Sequence, residues 1–524
     1  MTTAVAGVVV LAGCGTGTGG GEPGTAAGIP AGDPVAGGTL RWRASSDEGC
    51  IDPAQVQLRP FVAFGRQMVD SLTYQNNDGE IEPWLASEWT VNEDATAFTF
   101  TIRDGVTFGD GTPVTADIVK RNYDAISQMG VASPLGSPVL AGYTGSSVEG
   151  NTVTMSFGKP SASFLQGSSI PALGIVSQAT LDRTLAERCA GQVDGTGPFE
   201  VQEYVRNSTI TLARREGYAW PPASFDNQGN AYLDSISVQF VPDGSVAVGM
   251  ILSDQIDFVT DIVVTDADRI VNSPGVTVWE AIQPGTNTGL ATNPKSGPMA
   301  DLRVRQAVNK AINREELVAA TLSSIDTIAP GILSPKNPGF ADLSEMLTMD
   351  VAGAGALLDQ AGWIPGPDGV RIKDGQPLSI EIMYYVPPLA PYQPMLELIQ
   401  QQLAEVGIEA ELSPQTVAQA FDNERTFNFD LSLNGRTRCD PIVLADWFGG
   451  YDPELDTLMA AVEAEPDTAR RNEIAAQAQR FAMENVYLVP TNVWRYPQAY
   501  RSEVQGVVFD CANVPAMSEV WMSE

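Results

Sequence analysis

Two arginines and an acid lie within five residues of one another, at Arg436, Arg438 and Asp440. Thr437 stands between the arginines, and the stretch follows a predicted strand over 430–433. A guanidinium group forms paired hydrogen bonds with a carboxylate or a phosphate. Two such groups side by side are unusual in a chain whose formal net charge is −34. They serve either an anionic group of a ligand or acids on the protein's own surface.

The chain contains no histidine. This absence removes Ser-His-Asp and Cys-His catalysis, His-ligated zinc and histidine general bases. An enzyme with this composition would have to use carboxylates, cysteine, lysine or tyrosine. No spacing marks a catalytic carboxylate pair among the 64 acids. We predict no catalytic residues, no metal site and no cofactor.

The overall composition is that of an acidic globular protein. Its 524 residues, of which 43% are apolar, are enough for two or three regions with their own cores in a mixed α/β protein. A charge of −34 excludes ordinary nucleic-acid binding, which needs a basic surface. It also disfavours adsorption on anionic lipid.

The N-terminal segment has the features of a lipoprotein signal. An apolar run over 4–12 leads into Leu-Ala-Gly-Cys, which resembles a bacterial lipobox with Cys14 as the lipid-modified residue. The run is shorter than the roughly 20 residues that cross a membrane. No Lys or Arg precedes Cys14, so we expect the true start codon to lie upstream. Residues 15–37 are mostly small, which predicts a flexible tether. The alternative is a cytosolic chain in which LAGC occurs by chance.

The region 84–121 has a regular local pattern. Phe98, Phe100 and Ile102 alternate with polar residues, which predicts a strand with one buried face. Glycine-containing turns follow, and Thr115 is placed to cap the N-terminus of a helix.

This region also resembles the signature of the family 5 extracellular solute-binding proteins, the peptide, nickel and oligosaccharide receptors of bacterial ABC importers. The matching run reads LASEWTV…AFTFTIRDGVTFGDGTPVTADIV, with Gly109 where the family often has histidine. Three further segments resemble the family: GTGPF at 195–199, a helix at 298–314 and ALLDQAGW within 354–363. We predict that Arg305 and Arg314 of that helix form salt bridges rather than ligand contacts.

The resemblance covers about 38–524 and implies an α/β, two-lobed fold of the periplasmic-binding-protein type (class II, cluster C), with mixed sheets and a hinge. Segments within 276–293 and 486–492 are expected to cross between the lobes. Strand–helix–strand order over 379–412 independently predicts a parallel strand pair. The predicted division is a signal peptide with lipobox at 1–14, a tether at 15–37, a lobe I core at 38–60, 190–284 and 487–524, an extra lobe I subdomain at 61–189, and lobe II at 285–486.

The same resemblance places ligand contacts in loops on both sides of a cleft. Peptide receptors of the family carry an acid near the peptide's amino terminus, and alignment on Asp440-Pro441 puts that position near Thr437. Asn434 replaces the usual tryptophan. The ligand is therefore expected to carry an anionic group, or the protein is not an ordinary peptide-amine receptor; Asp440 leaves a peptide amine open. Secondary candidates, each with core packing as the alternative, are Ser45, Ser46, Trp447, Trp494 and Tyr496.

Four cysteines remain once Cys14 is assigned to lipid, and two disulfides are expected in an exported protein. Three pairings are open. We favour Cys50–Cys189 within one lobe, which leaves Cys439–Cys511 between the lobes. A bridge between lobes would restrict their closure unless it lay at the hinge.

The resulting functional prediction is a lipid-anchored receptor on the outer face of the cell membrane. It would capture a peptide or similar polar solute and deliver it to an ABC permease and its ATPase, without enzymatic activity. A non-peptide anionic solute, such as an opine, a sugar acid or an oligosaccharide, is the alternative ligand. Rivals from other classes are an extracellular carboxylate-dependent hydrolase and a chaperone-like or signalling surface protein.

Overall fold

The structure is a computed structural model that describes residues 32–260, 262, 264–386 and 392–523. The predicted lipobox, Cys14 and most of the predicted tether lie outside these residues. Among the residues described, no helix combines the length and apolarity needed to cross a bilayer.

The strands are numbered in chain order. They are β1 Thr39–Ala44, β2 Thr73–Gln75, β3 Ile81–Pro83, β4 Ala86–Val91, β5 Ala97–Ile102, β6 Tyr143–Glu149, β7 Thr152–Phe157, β8 Phe199–Val205, β9 Thr209–Arg214, β10 Ser235–Phe240, β11 Phe258–Val259, β12 Val276–Trp279, β13 Thr288–Thr292, β14 Ile364–Pro365, β15 Arg371–Lys373, β16 Gln376–Pro377, β17 Ser379–Tyr385, β18 Glu409–Gln415, β19 Leu431–Asn434, β20 Leu488–Asn492, β21 Gln498–Arg501, β22 Val504–Gln505 and β23 Trp521–Met522.

The α-helices are numbered in the same way. They are α1 Arg59–Met68, α2 Ala116–Met129, α3 Gly136–Val139, α4 Phe164–Gly167, α5 Gln178–Leu181, α6 Leu185–Cys189, α7 Gly244–Leu252, α8 Val264–Val271, α9 Leu302–Ala311, α10 Arg314–Thr321, α11 Val351–Gln360, α12 Tyr392–Glu405, α13 Val417–Arg425, α14 Val443–Phe448, α15 Pro453–Ala464 and α16 Thr468–Glu484.

The largest sheet has seven strands in the order β12-β21-β11-β1-β10-β9-β8. Its strand β1 runs parallel to both β10 and β11, so the carboxyl ends of these three strands share one edge. Trp42 of β1 and Phe258 of β11 are fully buried, and their ring centroids lie 5.1 Å apart in an edge-on contact. We call this sheet and the elements packed on it lobe I.

A separate antiparallel sheet, in the order β4-β5-β7-β6, forms the subdomain together with α2 to α6. Phe98, Phe100 and Ile102 are buried, as the alternating pattern predicted. The Thr115 hydroxyl accepts a hydrogen bond from the backbone N–H of Ile118 at the start of α2, which confirms the predicted helix cap.

The second large sheet has the order β18-β17-β19-β13-β20, and we call it and its helices lobe II. Strands β17 and β18 are parallel and are joined through α12, which confirms the predicted crossover unit. Leu290, Ile382 and Leu431 are fully buried at its core. The mixed α/β class predicted from the sequence is confirmed.

Within the described chain, the backbone passes twice between the lobes, from β12 to β13 and from β20 to β21. We call the connecting segments, 280–287 and 493–497, the crossing. They pair with each other, because Gln283 N donates to the Trp494 carbonyl at 2.8 Å and Tyr496 N donates to the Ala281 carbonyl at 3.0 Å. Ala281 has a φ of 43°, which non-glycine residues rarely adopt.

The prediction that Arg305 and Arg314 form salt bridges is wrong. Arg305 donates to the carbonyls of Asn485 and Met299 at 2.8 and 2.7 Å. Arg314 donates to the Pro490 and Leu347 carbonyls at 2.7 and 3.0 Å. Both guanidinium groups are buried, and backbone carbonyls satisfy their donors in place of acids. Their predicted structural role fits these contacts.

Both expected disulfides are present. Cys50–Cys189 joins the loop after β1 to α6 of the subdomain. Cys439–Cys511 joins lobe II to lobe I across a sequence separation of 72. The favoured pairing is confirmed, and the second bridge does connect the two lobes.

Candidate functional site

The loop that begins at the end of β19 is fixed to the crossing by its backbone. Thr437 pairs with Gly285 in an isolated β-bridge, and Thr286 N donates to the Arg436 carbonyl at 2.8 Å. Gly285 has a φ of +109°, and a Cβ there would collide with the Arg436 carbonyl, so glycine is required. The predicted ligand loop therefore lies where the two lobes meet.

The charge of Arg436 is compensated within lobe II. Its guanidinium forms an ion pair with Glu424. It also lies over the Phe421 ring at 4.5 Å and over the Trp447 ring at 5.6 Å. A guanidinium enclosed by an acid and two aromatic faces is held in one orientation. Arg436 thus pairs with an acid of the protein itself, which was the alternative to a ligand contact. Glu424 is only 9% exposed, however, so it is not a surface acid.

Arg438 differs from Arg436 because it reaches across the lobe interface. Its guanidinium pairs with Asp446 of lobe II at 2.8 Å and lies 3.5 Å from the Ser163 hydroxyl of the subdomain. Ser163 in turn donates to the Glu463 carboxylate at 2.6 Å, a second contact between lobe II and the subdomain. Thr437, between the two arginines, is exposed.

Asp440 lies in the interior rather than on the cleft. Its carboxylate receives two hydrogen bonds of 2.6 Å from the Arg471 guanidinium and one of 2.9 Å from Ile442 N. Burial alone would raise the pKa of Asp440. The charge and hydrogen bonds of Arg471, together with the charge of Arg438, lower it by more, so the net pKa of Asp440 is below its usual value. A carboxylate used in this way is not open to a ligand amine.

Of the aromatic candidates, Trp494 lines a small cavity next to the crossing. Trp494 is half-buried, and its ring lies so close to Gly435 that a Cβ there would be 2.7 Å away. The cavity holds about 30 Å³ and is lined by Tyr384, Tyr385, Tyr392, Leu433, Asn434, Gly435 and Trp494. Nearby Trp447 is buried, and its indole N–H has no acceptor among the described residues. The rings that line the cavity suit packing against a ring or side chain of a solute.

The remaining predicted candidates, Tyr496, Ser45 and Ser46, lie on lobe I or on the crossing. Tyr496 belongs to the crossing, and the Arg59 guanidinium lies 5.0 Å above its ring. Ser45 and Ser46 follow the carboxyl end of β1, where Ser45 is half-buried and Ser46 exposed. The next residue, Asp47, accepts a 2.6 Å hydrogen bond from Tyr204 near the β8–β9 turn.

Lys336 was missed by the sequence analysis and lies between the lobes. Its amine, on lobe II, donates to the Asn513 side-chain oxygen of lobe I at 2.7 Å. Burial lowers the pKa of Lys336 to about 8, although the charge of Asp510 opposes this effect. Asn513 is the only hydrogen-bond partner of the amine in the described part of the chain, so the ammonium keeps spare donors.

Lys336 and Arg438 are connected through the residue next to Lys336. The Asn337 side chain, next to Lys336, donates to the Arg438 carbonyl at 2.6 Å. On the opposite side, the Gln75 side chain of β2 donates to the Cys439 carbonyl at 3.0 Å. Two cations of lobe II therefore face lobe I and its subdomain across a polar interface. Within the described ranges, no group of three or more Cys, Asp or Glu side chains is placed to hold a metal ion.

The family model for bacterial extracellular solute-binding proteins, family 5 (middle region), matches residues 80–449. The nickel-binding periplasmic protein of Escherichia coli K12 is 27% identical over 407 residues, which cover 75% of this chain and 73% of that protein. The dipeptide-binding protein of the same strain is 27% identical over 362 residues, which cover 64% of this chain and 63% of that protein.

Solved structures show the same fold. NikA from Brucella suis in complex with Fe(III)-EDTA has a TM-score of 0.78 at 22% identity and covers 93% of this chain and all of its own. The oligopeptide-binding protein AppA from Bacillus subtilis, solved with a nonapeptide, has a TM-score of 0.72 at 18% identity, with coverage of 94% and 100%. With a family match over most of its length and these folds, the chain belongs to the family 5 bacterial extracellular solute-binding proteins.

Proposed function

We propose that the protein is the substrate-binding component of an ABC importer and captures a peptide or similar polar solute between its two lobes. Family membership supports the general role, and the paired crossing supports a hinge between the lobes. The protein performs no covalent chemistry in this proposal. It works by binding the solute more tightly in the closed state than in the open one.

The observation that carries the proposal is the position of Lys336. Its amine is half-buried between the lobes. Among the described residues it hydrogen-bonds only to a neutral amide oxygen of the opposite lobe, with the charge of Asp510 nearby but not in direct contact. A partly buried charge without a direct ion-pair partner is costly. A carboxylate on the solute would supply the missing partner and would favour closure, because both lobes then contact the bound molecule.

The solute is therefore a peptide or another molecule with a carboxylate. A non-peptide anion, such as an opine or a sugar acid, is favoured by Thr437, which occupies the position of the amine-binding acid, and by the burial of Asp440 against Arg471. Nickel held by histidine is not available to this chain, which has no histidine.

Replacing Lys336 tests the proposal. A thermal-shift screen of short peptides, glutathione, opines, sugar acids and neutral sugars should find a carboxylate-bearing solute that raises the melting temperature. Lys336→Met should then weaken its binding at least about tenfold, because it removes one partner of a buried ion pair. Lys310→Met is the matched control, since Lys310 pairs with Asp350 on the surface at 3.2 Å and should leave affinity unchanged. Equal affinity in Lys336→Met would reject the assigned contact.

Lys336 also predicts the pH dependence of binding. Because burial lowers its pKa to about 8, the amine loses its charge as pH rises through 8. Affinity for a carboxylate solute should fall between pH 7 and 9, and Lys336→Met should remove this dependence. The free energy of unfolding without solute should change in the opposite direction. The charged amine destabilises the folded state below pH 8, and this destabilisation disappears as pH rises towards the unfolded pKa of about 10.4.

We also propose that Cys14, outside the described residues, carries a lipid that holds the protein on the outer face of the membrane. Expression in a bacterium with lipoprotein processing should place the wild-type chain in the membrane fraction. Cys14→Ser should release it, and equal partitioning of the two would reject the anchor.

A further inference from the structure

The Cys439–Cys511 bridge is a covalent connection between the lobes in addition to the crossing. Cys439 follows the ligand loop of lobe II, and Cys511 lies in a turn of lobe I. Both are buried, at 4% and 1% exposure. The two cysteines lie in different lobes, so the bridge limits how far the lobes can move relative to each other.

The bridge lies beside the crossing rather than at the mouth of the cleft. Thr437, two residues before Cys439, pairs with Gly285 of the crossing. Asn513, two residues after Cys511, donates to the Ile282 carbonyl of the crossing at 2.8 Å. Two residues span at most about 7 Å. Both ends of the bridge are therefore within a short reach of the hinge.

Hydrogen bonds around the bridge connect lobe II, lobe I and strand β2. The Gln75 side chain of β2 donates to the Cys439 carbonyl at 3.0 Å, and the Gln75 carbonyl accepts from Cys511 N at 3.2 Å. The Lys336–Asn513 contact adds a link between lobe II and the same turn. Hydrogen bonds and the amine contact can separate during opening, whereas the disulfide cannot.

We infer that the Cys439–Cys511 disulfide sets the limit of lobe opening. Two adjacent connections alone leave the lobes free to swing apart and to twist about the crossing. A third connection close to that axis permits a modest rotation but removes wide opening and twisting. Restricting the open ensemble lowers the conformational cost of closing on a solute. The inference depends on the hinge motion of the proposed function.

Scattering without any solute tests the inference, so its outcome is separate from the search for a ligand. The variant Cys439→Ala/Cys511→Ala should have a larger radius of gyration than the wild type, because the lobes open further. The matched control is Cys50→Ala/Cys189→Ala, which removes the bridge between lobe I and its subdomain and should leave the radius unchanged. An unchanged radius in the first variant would overturn the inference, as would a non-reduced peptide map of the wild type without Cys439–Cys511.

A second variant keeps the test decisive should the alanine pair fail to fold. Lys336→Met removes the amine contact between the lobes and leaves the disulfide intact. With the bridge as the limit to opening, this variant should scatter like the wild type. A clear increase in its radius of gyration would show that the amine contact, and not the disulfide, holds the lobes together, and would also overturn the inference.

Discussion

Arg471→Ala is expected to lower the free energy of unfolding by about 3–5 kcal/mol. Arg471 on α16 gives both of its terminal nitrogens to the Asp440 carboxylate at 2.6 Å, and its Nε to the Val462 carbonyl at 3.0 Å. Asp440 is 2% exposed. Removing the arginine leaves a buried carboxylate with the Ile442 N–H as its remaining short hydrogen bond and without its strongest opposing charge.

Arg480→Ala on the same helix is the matched control. Arg480 pairs with Glu345 at 3.3 Å, and both side chains are more than half exposed, so its loss should cost less than about 1 kcal/mol. Urea denaturation of both variants measures the difference. The pH profile adds a check. The pKa of Asp440 is lowered in the folded state, so the contribution of the pair is present above the unfolded pKa of about 3.9 and is lost as pH falls below it. Equal stability of the two variants at neutral pH would contradict this role for Arg471.

Gly197→Ala is expected to cost about 1–3 kcal/mol or more, because a methyl group there has no space. Its Cβ would lie 2.5 Å from the Gln67 carbonyl oxygen and 2.7 Å from Val69 N, at the end of α1. These obstacles are backbone atoms and cannot rotate away. Gly197 N also donates to the Met68 carbonyl at 3.0 Å, so a displacement would break a hydrogen bond.

Gly249→Ala is the control for this substitution. Gly249 is an exposed residue of α7, and no heavy atom lies within 4 Å of the position that an added Cβ would take. Alanine there should stabilise the helix by about 0.5–1 kcal/mol. Melting temperatures of the two variants should move in opposite directions. A Gly197→Ala protein as stable as the wild type would show that the end of α1 can move away at little cost.

Local sequence patterns were sufficient for many of the elements. The alternation of Phe98, Phe100 and Ile102 was enough to predict the buried face of β5. Thr115 was a recognisable cap because its hydroxyl can accept from a free N–H in the first turn of α2. Residues 453–484 illustrate the limit of such patterns, because they form two helices, α15 and α16, with a break between them. Pro466, between them, disfavours a continuous helix at the preceding residue.

Contacts between distant segments could not be predicted in this way. Lys336 meets Asn513, 177 residues away, and its only sequence signal is a proline-flanked turn, Pro335 to Pro338. Asp440 was considered for a ligand amine because its partner, Arg471, lies on a later helix with no recognisable spacing. The ion pair between Arg436 and Glu424 could not be predicted from the sequence for the same reason. Charge partners depend on how the lobes fold together, and a single sequence contains no direct record of that geometry.

The claim that matters most is that two lobes close on a solute and release it unaltered. Small-angle scattering of the full chain, with and without the solute found in the screen, tests it most directly. Saturating solute should reduce the radius of gyration towards about 24 Å, the value for a compact chain of 524 residues, and the solute should be recovered with its mass unchanged. Equal radii at saturation, or a cleaved solute, would contradict the account.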